Sequence, residues 1–123
     1  MYDKYLVSDI LEEMIDASRT ISSRCAKMSC MDDFVANDKG QMVLDSICML
    51  LIAIGEAVKQ IDRITDKTLL VTHPDIPWGK VAAMRDILSH HYFDLNAEIV
   101  YNLCQDHIGD LHHTLVTIHS DLQ

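Results

Sequence analysis

Between Lys39 and Ile61 the apolar side chains recur at helical spacing along two adjacent stripes. One runs Val43, Ile47, Leu50, Ile54 and Val58; the other runs Leu44, Cys48, Leu51, Gly55 and Val58. A helix apolar over this much of its circumference has to lie inside a bundle, with neighbours on several sides. The longest unbroken apolar run within it, Ile47 to Gly55, is about half the ~18 residues that a membrane span needs. A core helix is therefore expected, and no membrane.

The rest of the chain supplies partners for that helix. From about Asp3 to Met28, Leu6, Ile10, Met14, Ala17, Ile21, Cys25 and Met28 fall at spacings of three and four, opposite Glu12, Glu13 and Asp16. Ser29 to Asn37 breaks the pattern, and Asp38 is placed to cap the second helix. Arg63 to His73 reads as a loop with a helical turn near Lys67 to Leu70. Pro77 suits the first turn of a third helix, about Pro77 to Ser89, because its missing N–H is not needed there. That helix presents Trp78, Val81, Met84 and Leu88 inward, with Trp78 as a core anchor. A fourth helix, capped by Asp94 or Asn96, carries Ala97, Tyr101, Cys104, Ile108, Leu111, Leu115, Ile118 and Leu122 in four-three alternation. Without any strand pattern or internal repeat, the fold class is all-α: an up-and-down four-helix bundle, with a short extra helical turn before the third main helix. A chain of 123 residues, 49% of them hydrophobic, is expected to form a single domain over 1–123.

Charge narrows the function classes. The net charge of −9 argues against a general nucleic-acid binder, and DNA is not expected as a ligand, because such affinity comes from Lys and Arg neutralising phosphates. The distribution is uneven. Beyond Arg85 there is no Lys or Arg, but six acidic residues and six histidines. Cations gather in the central span, at Lys59, Arg63, Lys67, Lys80 and Arg85, so a local positive surface is possible and a broad basic face is not. No N-terminal stretch has the make-up of a signal peptide. Cys25, Cys30, Cys48 and Cys104 are then expected to be reduced thiols in a cytoplasmic protein.

The chemistry concentrates in Met84-Arg85-Asp86-Ile87-Leu88-Ser89-His90-His91-Tyr92. A guanidinium fork suits phosphate, and imidazole titrates near neutrality. Together they suit work on a phosphate without a protein-bound metal. The same residues could instead serve a helix end, satisfying its last carbonyls and its dipole. On one continuous helix Arg85 and His90 stand about 140° apart. They could converge if the helix ends near Ser89 and His90 and Tyr92 project from the turn. Asp86 could orient an imidazole or simply be solvated, and His91 is expected to point elsewhere. In the C-terminal set, Cys104 and His107 are one turn apart, as in the start of a zinc site. No second pair repeats that spacing, so no metal or other cofactor is expected, and the histidines fit an interface or an exposed face.

Arg85-x4-His90-x-Tyr92 resembles the Arg-x4-His-x-Tyr signature of HEPN toxins in MNT/HEPN toxin–antitoxin systems, the HepT-like branch. Pro74-Asp75-Ile76-Pro77-Trp78 before Met84-Arg85, and Gly55-Glu56-Ala57 on the preceding helix, are similar to the family's run into that motif. The resemblance implies a helical bundle and a metal-independent endoribonuclease acting on RNA, with Arg85 and His90 catalytic and Asp86 and Glu56 supporting. It also implies a homodimer whose two motifs face one cleft, and a nucleotidyltransferase antitoxin that transfers AMP to Tyr92. A different class of function stays open: a non-catalytic module that binds nucleotide or substrate for a nucleotidyltransferase. A plain structural bundle is a third.

Overall fold

The computed structural model describes residues 1–90 and 97–123. Helix α1 (Lys4–Cys25) opens on Asp3, whose Oδ1 accepts from the Tyr5 and Leu6 amides at 3.0 and 3.1 Å. That contact satisfies two of the amides that every helix start leaves without partners. The helix stops at Cys25, not Met28. Its inward stripe is rotated from the expected one: Val7, Leu11, Met14, Ser18, Ile21 and Cys25 are buried, whereas Leu6 is 46% exposed. Both stripes have helical spacing, and only the position of the neighbouring helices chooses between them.

The expected break between the first two long helices contains a helix of its own, α2 (Asp32–Val35), which drives Phe34 into the core. The long core helix follows as α3 (Asp38–Ile64). Asn37, not Asp38, caps it, accepting from the Gly40 amide at 2.8 Å, and Asp38 becomes a first-turn acid suited to the helix dipole. Gly40 is required because a Cβ there would overlap the Asp33 carbonyl. Leu44, Ile47, Cys48, Leu51, Ile54, Gly55, Val58 and Ile61 are buried along α3, which confirms its central place. By length and composition α3 could cross a membrane, with a mean hydropathy of 1.8 over 18 residues. Its buried face packs against α1, α2 and the helix that begins at Trp78, while Met42 and Met49 stay exposed.

After α3 the chain adopts left-handed backbone at Asp66 and Lys67 (φ 53° and 59°). Such residues end helices rather than start them, and so the helical turn expected at Lys67 to Leu70 forms later, as a 3-10 turn at Leu70–Thr72. Helix α4 (Trp78–His90) then begins as expected. The Pro77 carbonyl accepts its first i+4 bond, from Val81, at 3.1 Å. Trp78 is buried and its Nε1 donates to the His73 carbonyl at 2.9 Å, which makes it the core anchor that the sequence suggests.

The expected fourth helix is two, α5 (Ala97–Asp106) and α6 (Ile108–Asp121), joined by a kink at His107 (φ −126°). Hydrogen bonds continue on either side: His107 N–H donates to Leu103, and Leu111 N–H to His107. Gly109, a poor helix former, lies just beyond the kink, where an added Cβ would meet nothing. Its effect is thus on backbone propensity and not on packing. The buried stripe of Val100, Cys104, Ile108, Leu111, Leu115 and Ile118 keeps the expected alternation across the kink. Helices α1 and α3 pack together at the centre, α4 lies on α3, and α5 and α6 lie on α1. The described residues thus form the helical bundle that the periodicity predicts, with α2 and a kink added.

Candidate active site

At Gly55, α3 and α4 approach closely. A Cβ there would stand 3.0 Å from the Val81 carbonyl, 3.1 Å from Arg85 Cβ and 3.2 Å from Arg85 N. A glycine in mid-helix costs about 1 kcal/mol relative to alanine, and here it lets the base of Arg85 rest directly on α3. The arginine then meets the next residue along, Glu56, with Nε donating to Oε2 at 2.9 Å. One terminal nitrogen donates to Asp86 Oδ1 at 2.9 Å. The other Asp86 oxygen, Oδ2, lies 3.6 Å from Lys59 Nζ, one turn beyond Glu56 on α3.

Two carboxylates and two cations thus form one chain, Glu56–Arg85–Asp86–Lys59. Their side chains are between 36% and 53% exposed. Ion pairs this accessible contribute at most about 1 kcal/mol each, so the network does little to hold the bundle together. It remains open to an incoming anion.

His90 is the last residue of α4 and is exposed. The helix therefore continues one residue past the expected end, and regular geometry puts His90 about 140° from Arg85 and about 40° from Asp86. It shares the outward edge of α4 with Ala83 and Ile87, the latter 55% exposed. Arg85, Glu56 and Asp86 are brought together; His90 stands on the opposite side of the helix from the α3 contact. Tyr92 and His91, and the expected helix starts at Asp94 and Asn96, lie outside the described residues. In sequence Lys59 is only one cation of a basic span. Its place three residues after Glu56, in register with the Gly55 contact, is the signal that would have found it.

The other clusters are taken up by structure. Ser18, fully buried, donates to the Ile15 carbonyl at 2.8 Å and therefore accepts from His112 Nδ1, also at 2.8 Å. His119 Nε2 lies 3.1 Å from Ser8 Oγ and 3.2 Å from Glu12 Oε1. Both contacts use one ring nitrogen, unlike a relay, which needs both. They tie α6 to α1. Burial raises the Cys48 thiol to about 11, and burial together with the neighbouring Cys25 raises Cys104 further. Such thiols are poor nucleophiles. A cavity of about 570 Å³ opens between α3, α4 and the α5–α6 arm, floored by Leu51, Ile54, Val81 and Leu111, but none of Arg85, Glu56, Asp86 or His90 lines it.

Residues 11–118 match the family described as "Ribonuclease HepT-like". The chain is 31% identical over 103 residues to a protein named "Probable ribonuclease HepT" from Thermococcus cleftensis, covering 84% of this chain and 86% of that one. It is 33% identical over 95 residues to a protein named as a candidate RNase from Methanocaldococcus jannaschii, covering 77% and 69%. A third relative, also named as a candidate RNase, from Caldanaerobacter subterraneus subsp. tengcongensis, is 31% identical over 101 residues, covering 82% and 83%. No solved structure matches the chain.

Proposed function

Because the chain belongs to the HepT-like ribonuclease family, we propose that it is an endoribonuclease, the toxin of an MNT/HEPN toxin–antitoxin pair, whose catalytic groups are Arg85 and His90. The observation that carries this reading is the placement of Arg85. Close contact at Gly55 fixes its base, Glu56 holds its Nε, and the far end of the fork stays at the surface. A cation held in place and accessible can bind a phosphodiester and stabilise the charge that develops on it.

Cleavage would proceed by attack of the 2′-oxygen on phosphorus. The P–O2′ bond forms, the P–O5′ bond breaks, and the products are a 2′,3′-cyclic phosphate and a 5′-hydroxyl. One proton leaves the 2′-hydroxyl and one reaches the 5′-oxygen, transfers that imidazole performs well near neutral pH. His90 on its own supplies one of the two. Its outward position supports a homodimer in which a second chain brings another His90 to the same cleft, one as base and one as acid. The edge of Ala83 and Ile87 beside it is apolar enough to be covered by that copy. Sedimentation at micromolar concentration should show about twice the 14.0 kDa chain mass; a monomer alone would remove the composite site.

Control would come from a nucleotidyltransferase antitoxin that transfers AMP to Tyr92, two residues beyond His90. The added phosphate would bring charge and bulk to the site and compete with RNA for Arg85. Co-expression followed by peptide mass spectrometry should find AMP on Tyr92, and none in Tyr92→Phe. An unmodified Tyr92 in a neutralised complex would leave occlusion by the partner instead. The nuclease itself is tested by incubating the partner-free protein with labelled RNA in chelator. Cyclic-phosphate ends are expected. Binding without cleavage would favour the nucleotide-binding module.

A further inference from the structure

Asp86 lies between two cations and divides its oxygens between them, Oδ1 to the Arg85 fork and Oδ2 towards Lys59 Nζ. A phosphodiester also offers two non-bridging oxygens, spaced much like those of a carboxylate, which is why the same fork serves both. We propose that Lys59 is the second cation of an RNA-phosphate seat shared with Arg85, and that Asp86 is the internal anion that holds the seat until RNA displaces it. The inference rests on the reading of Arg85 as the phosphate-binding residue.

Three observations support it. First, the two carboxylates hold Arg85 differently. Glu56 takes Nε, the inner nitrogen, while Asp86 takes a terminal one. Displacing Asp86 therefore leaves Arg85 still tethered to α3 and presenting its outer edge. Second, Asp86 is 53% exposed and its contact with Lys59 is long, at 3.6 Å. Such a pair is weak and exchanges readily. Third, no Lys or Arg follows Arg85, and the chain carries a net charge of −9. A further cation next to Arg85 has to come from an earlier element, and Lys59 on α3 is placed to supply it. The displaced carboxylate also has somewhere to go, because His90 is one turn away on its own helix.

Phosphate binding would then be an exchange of anions, in which RNA must outcompete Asp86. This sets a threshold that a net-negative protein needs if it is to take the intended RNA strand and ignore weaker anions. Glu56, by contrast, is a positioning residue that stays in place throughout.

The test is fluorescence anisotropy of the full chain with a labelled RNA oligonucleotide blocked by 2′-O-methyl groups, across a series of KCl concentrations. Lys59→Ala should weaken binding severalfold for every RNA sequence and lower the log–log salt slope by about 0.7, the value for one single-strand phosphate contact. Lys59→Arg should restore most of both. Asp86→Asn should tighten binding severalfold, and less so in the Lys59→Ala background, because the two act on one seat. Circular dichroism should be unchanged throughout. An unaltered affinity and slope in Lys59→Ala overturns the seat. Weaker binding in Asp86→Asn overturns the displaced anion and makes Asp86 a positioning residue. If Arg85→Ala loses binding and cleavage while Lys59→Ala changes neither, this inference alone fails. If Arg85→Ala binds and cleaves like the parent, the underlying reading fails with it.

Discussion

The α1–α6 seam and the α3–α4 seam both carry polar side chains, and they use them in opposite ways. Along α1–α6, His112 donates to a serine that is fully buried and already committed to a carbonyl, with Leu115 and Ile118 packed at 0% and 1% exposure. Ser18 cannot lose that partner without leaving a buried group unsatisfied, which costs about 1–3 kcal/mol; only at the rim, where His119 meets Glu12, is the seam open to water. Along α3–α4 the charged groups are half exposed, and each cation and carboxylate has water as an alternative. The first seam fixes the fold. The second is cheap to rearrange, as the proposed exchange of Asp86 for an RNA phosphate requires.

Mutations should separate the two seams. The largest effect is expected from His90→Ala, which should lower RNA cleavage by about 10²–10⁴-fold, the usual contribution of a general acid or base. Because His90 is exposed, the melting temperature should hold; a His90→Ala protein that cleaves like the parent would remove it from the mechanism. Leu115→Ala, in the other seam, should do the reverse, costing about 2–5 kcal/mol of stability in denaturant melts while sparing the rate per folded molecule. Gly55→Val tests where the seams differ most, since its side chain must push α4 and the base of Arg85 away from α3. Cleavage should fall at least tenfold even at temperatures where the variant is folded.

Smaller effects sharpen the contrast. Ser18→Ala removes the acceptor of His112 and should cost about 1–2 kcal/mol with cleavage unchanged. The thiols give a pH signature. The folded protein holds the Cys48 proton more tightly, at about 11 against an ordinary 9.0. The resulting stability is complete below pH 9 and is lost as pH rises from there to about 11. Melts across that window should show the decline, and Cys48→Ala should make it shallower, leaving the part that the buried Cys104 thiol contributes.

Much of this was legible because helical periodicity is a local signal. The spacing of Val100, Cys104, Ile108, Leu111, Leu115 and Ile118 marks the buried face of α5 and α6 even though a kink divides them. Gly55 was legible for a related reason: a glycine in an otherwise strong core helix implies close approach, and the approach brings Glu56 to Arg85. What escaped depends on neighbours or on single dihedral angles. The rotation of the α1 stripe from Leu6 to Val7 is set by α3 and α6. Asn37 and Asp38 are both good caps, and the choice between them turns on the tight packing of Gly40 beneath α2. Lys59 belongs to the site only because α3 and α4 meet at one register. His90 and Tyr92 were legible as a motif, but helix spacing leaves His90 about 140° from Arg85, and Tyr92 lies outside the described residues.

That Arg85 serves RNA cleavage and not the fold can be tested by two readings on Arg85→Ala. The rate of cleavage of a labelled RNA in chelator is measured beside thermal unfolding of the same sample. Cleavage should fall at least ~100-fold, as when a fixed charge donor is removed from a transition state, with unfolding shifted by no more than the ~1 kcal/mol of an exposed ion pair. Cleavage at the parent's rate, or a loss of activity matched by collapse of the fold, would contradict that role.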